Sequence, residues 1–488
     1  MVATATREPR GHEHPDNGVG ARAPRRVLPW RRGVSLAGVI GLLAAALGLL
    51  IGLGPLNDNS FFTHLATGRL ILDTGSVPSV DPFSFTAAGE PWVVQSWLAS
   101  VLYAGVERGF GAGGLLALVG VTGAALGAMV WALTRPAGAL LGRVLATGLV
   151  LAVGAGMWGE RPMLFGLAFL GLTMLVAQGR LQPRWLILVF ACWVNMHGSF
   201  PLGLAALVVL ALGRRLDGQS PRVERAALGR AVLGTGLGAI SPLGLKLLTF
   251  PVELLGRQEI LRSVTEWKSP SFVPSYQRAF LVLVVLAIVG LVRRPSWRAA
   301  LPTLVFVPAA LLSVRNIPVA SLVVLPGLAS GLAGLGSITG EQRRTVFRVA
   351  AVALVALASV VLVARTRDAS FTLDRYPVAA IDWLDDEGMA PGGRIVADEL
   401  VGNYLELRYG ADANVYADDR FDMFPLPVLR DLITLNRGTA GWDDALDRAD
   451  PDAVLWAVDA PLGQLLRLSD GWEIAWTDGD WLVAIPAG

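Results

Sequence analysis

Cysteine and charge are what this chain has least of. Cys192 is the only cysteine among 488 residues, and it lies in an apolar run. No disulfide within the chain can form, and a cysteine-based zinc or iron–sulfur site is excluded. Charged residues make up 16% of the sequence, where soluble domains carry about 25%. The 41 basic and 39 acidic side chains nearly cancel, leaving a net charge of +2. That balance gives no footing for bulk nucleic-acid binding. The C-terminal part after Ala364 carries no GxGxxG or P-loop to support a nucleotide site, and the chain has no GxSxG serine elbow. Of the four histidines, His12 and His14 lie in the polar N-terminal stretch, and no compact metal signature is present. No internal repeat of the kind common in transporters is visible.

Hydrophobicity is abundant. Residues of that class make up 53% of the chain, and the mean hydropathy is +0.54. Apolar runs recur from Val34 to Ala364, with lengths close to the ~20 residues that cross a bilayer. A β-barrel is excluded, because barrel strands are short and alternate apolar with polar residues. The expectation is a polytopic α-helical membrane protein with an extracytoplasmic α/β domain at its C-terminal end. Residues 1–33 are polar, rich in Pro, Gly and Arg, and read as a disordered basic cytoplasmic tail. Residues 34–364 form the transmembrane part, with an outer loop at 55–96 and an interfacial helix at 97–108. No small-residue cleavage site follows the first run, so that run reads as a retained helix.

Basic clusters beside short loops mark the cytoplasmic side. Arg25, Arg26, Arg31 and Arg32 put the N-terminus inside and the first loop outside. Arg135 with Arg143, Arg180 with Arg184, Arg214 through Arg230, Arg293 with Arg298, and Arg343 with Arg348 are all inside under one topology. Its spans are 34–54, 112–133, 141–158, 162–178, 185–196, 199–213, 228–245, 279–293, 299–313, 317–336 and 347–364, about eleven in number. It requires the segment 95–108 to lie along the interface, anchored by Trp92, Trp97 and Tyr103. It also requires the run 185–213 to break at Asn195–His197–Gly198. The alternative makes 96–108 a span and 185–213 one long helix, and it places four of those arginines outside.

Under the favoured topology the unusual polar residues share the outer face. The loop 56–97 holds Asp58, His64, Arg69, Asp73, Asp81 and Glu90. Asp58, four residues past the first span, can deprotonate a hydroxyl, hold a cation, bind a sugar hydroxyl, or simply form a turn. His64 lies in a stretch of helical character, and a ligand contact or a packed position are both open. Asp81 precedes Pro82, a pattern that commonly organises a turn. Arg161 and Arg315 sit at helix ends with proline close behind; each can clamp a phosphate, pair with an acid such as Glu160, or reach to headgroups. Asn195 and His197 at the helical break read as pocket lining or as a hydrogen-bonded kink. Glu266 in Glu266–Trp267–Lys268 and Asn316 in Arg315–Asn316–Ile317–Pro318 complete the candidate set.

After Ala364 the character changes. Residues 365–488 hold the majority of the 39 acids, and helical and extended patterns alternate. Helices are expected over 378–388, 403–409, 426–436 and 461–468, and strands over 393–398, 414–417 and 453–458. A hairpin over 472–485 turns at Asp478–Gly479. This describes a small α/β layer domain. Asp418–Asp419–Arg420 at a strand end can bind a ligand or form a local ion pair.

The layout resembles the GT-C superfamily of membrane glycosyltransferases, which take sugars from polyprenyl-phosphate carriers on the outer face. The resemblance rests on an early acid (Asp58) in the loop after the first helix, the turn Gly75–Pro78, the interfacial helix from Trp97, Glu160–Arg161 after the third helix, and a soluble domain after the last helix. More closely, the chain resembles an uncharacterised bacterial family of GT-C-like membrane proteins, through HLATGRLIL, VPSVDPFSFTAAGEPWV, ERPMLF, WVNMHGSF, EWKSP, RNIP, YPVAAIDWL and VYADDRFDMF. The resemblance implies a multi-pass plasma-membrane enzyme that transfers a hexose or pentose with inversion to a cell-envelope glycan, lipid or protein. It implies Asp58 as the general base and Arg161 or Arg315 on the donor phosphate. His64, Arg69, Asp81, Glu160, Asn195, His197, Glu266 and Asn316 are candidates for substrate binding. Asp58 stands between Asn57 and Asn59 rather than beside a second acid, so no cofactor is demanded and a divalent metal is left open. A transporter, a lipid-handling protein or a non-catalytic scaffold are the competing classes. An enzyme of this kind requires Asp58, His64, Arg161 and Arg315 around one cavity.

Overall fold

The computed structural model describes Val2 and residues 34–257, 265–336 and 344–487. Arg25, Arg26, Arg31, Arg32, His12, His14 and Arg343 lie outside the described residues. The protein is a helical membrane protein with a small C-terminal sheet. Among the described residues, four helices are long and apolar enough to cross a membrane: Trp97–Ala137, Ser275–Arg293, Val314–Gly331 and Thr345–Arg367. Five shorter apolar helices accompany them, at Leu36–Gly52, Leu140–Gly154, Met163–Ala177, Trp185–Met196 and Trp297–Leu312. The figure of eleven spans therefore exceeds what helix length alone supports. Several of the expected spans contain Pro, Gly or polar residues that shorten them.

The chain starts with α1, Leu36–Gly52, capped by the Ser35 hydroxyl, which accepts from the Gly38 amide at 3.2 Å. Next comes α2, Asn59–Thr74, which lies in the expected outer loop. Asp58 is its N-cap, and Gly75, in the left-handed region at φ 67°, ends it. The helix α3, Trp97–Leu133, has two limbs that meet at Gly111, whose φ of 61° and ψ of −161° are not helical. The break falls where the interfacial helix was expected to give way to a span. α2 lies on α3 at very short range: a Cβ on Gly68 would stand 1.9 Å from the Ser100 carbonyl oxygen, so only glycine permits the approach.

α4 (Leu140–Gly154), α5 (Met163–Ala177), α6 (Trp185–Met196) and α7 (Phe200–Leu216) follow. The run 185–213 is thus two helices, broken at His197–Ser199. α8 covers Arg222–Gly238, earlier than the expected 228–245, and α9, Lys246–Leu255, lies in a stretch with no expected helix.

The C-terminal sheet has strand order β1-β2-β4-β3, with β1 (Ile395–Val396) parallel to β2 (Ala453–Ala457) and the other pairs antiparallel. β3 (Trp472–Thr477) and β4 (Trp481–Pro486) form the expected hairpin. The expected strand 414–417 makes only isolated bridges, from Val415 to Ser84 and to Ile395. The first of these joins the sheet to the first loop, with the Val415 amide donating to Phe83 O at 2.9 Å and the Phe85 amide to Val415 O at 3.1 Å. A further bridge joins Leu56 to Phe371. Hydrophobic cores run across both parts, so Phe61, Phe62 and Tyr103 pack with Tyr376 and Tyr404, and Phe83 and Trp92 pack with Phe424 and Trp456. The segment after residue 365 shares its core with the first loop and with α2.

Candidate functional site

The bundle has two unlike ends. At one end arginines close helix C-termini: Arg143 Nη2 donates to Trp131 O at 3.0 Å, Arg180 donates to Ala132 O, and Arg298 Nη2 donates to Ala177 O at 2.7 Å. Buried Glu224 joins Arg214 and Arg298 there. At the other end the same helices open on a cavity of about 1400 Å³ between the bundle, the first loop and the C-terminal part. α5 shows the polarity directly, since Arg161 and Pro162 before it line the cavity and Ala177 at its far end takes Arg298.

Asp58 lies on the cavity wall because the chain there is pinned three ways. Its Oδ1 accepts the Phe61 amide at 3.2 Å and so starts α2. Its Oδ2 accepts Arg161 Nε at 2.7 Å. Glu160 Oε1 accepts both the Asn57 and the Asp58 amides, each at 2.8 Å, and Tyr103 Oη donates to the Glu160 carbonyl at 2.6 Å. Burial pushes the Glu160 carboxyl up, against the downward pull of those amides. Glu160, a substrate-binding candidate by sequence, holds backbone in this structure. Each Asp58 oxygen keeps a further lone pair, which leaves room for a hydroxyl donor. Its side chain is 23% exposed, so a substrate can reach it.

The two candidate arginines differ in their partners. Arg161 is held between Asp58 and Glu266. Arg315 also lines the cavity but makes no hydrogen bond or ion pair among the described residues; its guanidinium stands 5.4 Å from the Trp267 ring centroid. Asn316, beside it on the wall, donates Nδ2 to Ala309 O at 3.1 Å. His64 also lines the cavity, with Nδ1 3.3 Å from Ser100 Oγ. Burial lowers its pKa to about 4, only partly opposed by Asp58, and Arg161 and Arg315 push the same way as burial. The ring is neutral at ordinary pH. His197 completes this wall.

Three candidates lie elsewhere. Asp81 accepts the Ser84 amide at 3.0 Å and ion-pairs with Arg420 at 2.7 Å, so it forms a turn and a buried anchor. Arg69 pairs with Glu107 and donates Nη1 to Leu407 O at 2.8 Å, tying α2 to α3 and to the helix Glu399–Tyr409. Asn195 is the hydrogen-bonded kink: Nδ2 donates to Ala191 O and Gly238 O, and Oδ1 accepts Trp97 Nε1. None of these three lines the cavity.

Two residues join that the candidate set omitted. Asp419 and Asp422 of VYADDRFDMF line the cavity from the C-terminal side. Burial raises the Asp419 pKa to about 6, while Ser60 and Arg161 oppose it. Burial also raises Asp422. The signal available in the sequence was the three acids packed into five residues, but nothing in it said which faced inward. Among the described residues, no three of His, Cys, Asp and Glu come together to hold a metal ion.

No protein-family model matches the chain, and no curated protein matches it. Among solved structures, it is similar to the crystal structure of the Archaeoglobus fulgidus oligosaccharyltransferase tethered with an acceptor peptide containing the NVT sequon via a disulfide bond. The TM-score is 0.50 at 11% identity, over 92% of this chain and 74% of that one. The chain shares its overall fold with that oligosaccharyltransferase. The apo form of that enzyme matches with a TM-score of 0.48 and 12% identity, over the same 92% and 74%. At this identity the likeness is one of fold. Within the oligosaccharyltransferase-like fold, the cavity is walled by helix ends, the first loop and the C-terminal part together.

Proposed function

We propose that the protein is an inverting membrane glycosyltransferase. It moves a hexose or pentose from a polyprenyl-phosphate carrier to a cell-envelope glycan, lipid or protein. The cavity faces the outer side of a bacterial plasma membrane, with the N-terminus and the arginine end of the bundle in the cytoplasm and about eleven membrane segments counting the short ones. The observation that carries this is Arg315, a guanidinium with no hydrogen bond or ion pair among the described residues, in the same cavity as the reachable carboxylate of Asp58.

Asp58 takes the proton of the acceptor hydroxyl as its oxygen attacks the anomeric carbon. The bond from that carbon to the carrier phosphate breaks on the opposite face, and its electron pair leaves on the phosphate oxygen. Arg315 binds that oxygen and offsets the charge gained by the leaving phosphate. Arg161 positions Asp58 rather than phosphate, since Asp58 and Glu266 already occupy it. His64, neutral and lining the same cavity, hydrogen-bonds the sugar.

Mass spectrometry of cell-envelope glycans tests this. A deletion strain loses one glycosyl addition, which the wild-type chain restores. Asp58→Asn, expressed at equal level, lowers transfer by about 10²–10⁴-fold. Full restoration by Asp58→Asn removes Asp58 as the base.

A further inference from the structure

The gap between α6 and α7 holds a hydrogen-bond relay that neither the base nor the phosphate clamp uses. Trp193 Nε1 donates to Ser199 Oγ at 3.0 Å, and Ser199 Oγ stands 2.8 Å from His197 Nδ1. The Ser199 backbone amide also donates to Nδ1, at 3.2 Å. An amide N–H can only donate, so Nδ1 presents its lone pair and the neutral ring carries its proton on Nε2. Protonating Nδ1 would cost this bond. Because Trp193 fills an acceptor site of the Ser199 hydroxyl, the hydroxyl hydrogen is free to point at Nδ1 as well.

The relay has space made for it. Trp193, His197 and Ser199 are 1%, 7% and 9% exposed. A Cβ on Gly166 of α5 would stand 2.6 Å from Ser199 Oγ and 3.3 Å from both His197 Nδ1 and Trp193 Nε1. The far side of the ring is different. Nε2 has no hydrogen-bond partner among the described residues, and the side chain lines the cavity. Arg315 is the charge that acts on this ring most strongly, ahead of His64.

We propose that His197 is a fixed, neutral N–H donor to the phosphate oxygens bound by Arg315, with Ser199 and Trp193 as positioning residues that lock its tautomer. This rests on the reading that Arg315 binds the donor phosphate. Such a donor orients the phosphate without adding charge to a wall that already carries Arg161 and Arg315, and it cannot act as a competing base through Nε2.

The chain has only four histidines, so nitrogen NMR of histidine-labelled full-length protein in micelles resolves His197, assigned by its loss in His197→Gln. Farnesyl phosphate serves as the soluble probe and farnesol as the control. The expected signature is the Nε2–H tautomer, an Nε2 resonance moved by farnesyl phosphate and not by farnesol, and a dissociation constant raised roughly tenfold in His197→Phe. His197→Gln, which keeps an N–H donor, recovers part of that loss. Ser199→Ala weakens binding less than His197→Phe and broadens the tautomer signature. An Nδ1–H tautomer, or an Nε2 resonance unmoved at saturation while Arg315→Ala still abolishes binding, overturns the role of His197 and leaves the phosphate reading standing. Binding that ignores Arg315→Ala overturns both.

Discussion

Asp418 and Asp419 are the same side chain in adjacent positions, with opposite fates. Asp418 turns inward to Arg420, accepting its Nε at 2.9 Å and its backbone amide at 2.7 Å. Asp419 turns to the cavity, where burial holds its pKa at about 6. As pH rises through that value, a negative charge appears on the wall facing Arg161 and Asp58. We therefore expect transfer rate measured from pH 5 to pH 8 to bend near pH 6 and the bend to vanish in Asp419→Asn. His64, lowered to about 4, contributes no bend in that interval. The sign for stability follows from linkage. A carboxyl raised from about 3.8 to about 6 favours the folded state at low pH, and this contribution fades as pH climbs between those values. Unfolding midpoints of Asp419→Asn and wild type should accordingly diverge between pH 4 and pH 6 and run parallel above. Sequence could not separate the two acids, because the choice depends on where Arg420 lies, and Arg420 is placed by Asp81, more than 300 residues earlier. The same holds for the two arginines. Asp58 and Glu266 both reach Arg161, while Arg315 has no ion-pair partner among the described residues.

Helix α2 is the element on which the site depends. It carries Asp58 at its start and His64 in its second turn, and it touches both α3 and the helix Glu399–Tyr409. Its seat on α3 needs Gly68, where a side chain would collide with the Ser100 carbonyl. Gly68→Val should destabilise the protein by about 1–3 kcal/mol, read as a lowered unfolding midpoint in micelles. A midpoint equal to wild type would mean that the two helices can part without cost. Ordinary helix signals anticipated many element ends. Pro162 and Pro183 precede helices, the chain breaks at His197–Gly198, and β3 and β4 turn at Asp478–Gly479. The signals fail where burial comes from elsewhere. The helical character of α2 is legible within the outer loop, but not its burial: Phe61, Phe62 and Leu65 are fully buried between α3 and the C-terminal part. The expected span 228–245 runs across Pro242 and Gly244, where the chain turns between α8 and α9, and α9 itself is not anticipated.

For the molecule as a whole, Arg420 is the rivet. It is 6% exposed, ion-pairs with Asp81, Asp418 and Glu406, and stands 4.4 Å from the Trp92 ring centroid. Three acids share one guanidinium, and burial together with Asp418 pushes the Glu406 carboxyl up against the opposing pull of Arg420. Removing the cation leaves buried acids without it, at a cost of about 3–5 kcal/mol. Arg420→Met should therefore loosen the first loop and the C-terminal part together, visible as joint protease cleavage within residues 75–96 and 410–425. Cleavage confined to one of them would show that the two fold independently. A second join lies closer to the chemistry. The Thr372 amide donates to Leu56 O at 3.0 Å, where the chain has just left the bundle's last helix on one side and its first on the other. Leu56 is two residues from Asp58. The bundle is thus laced shut two residues from Asp58, so the C-terminal part cannot swing away like a gate without dragging that carboxylate along.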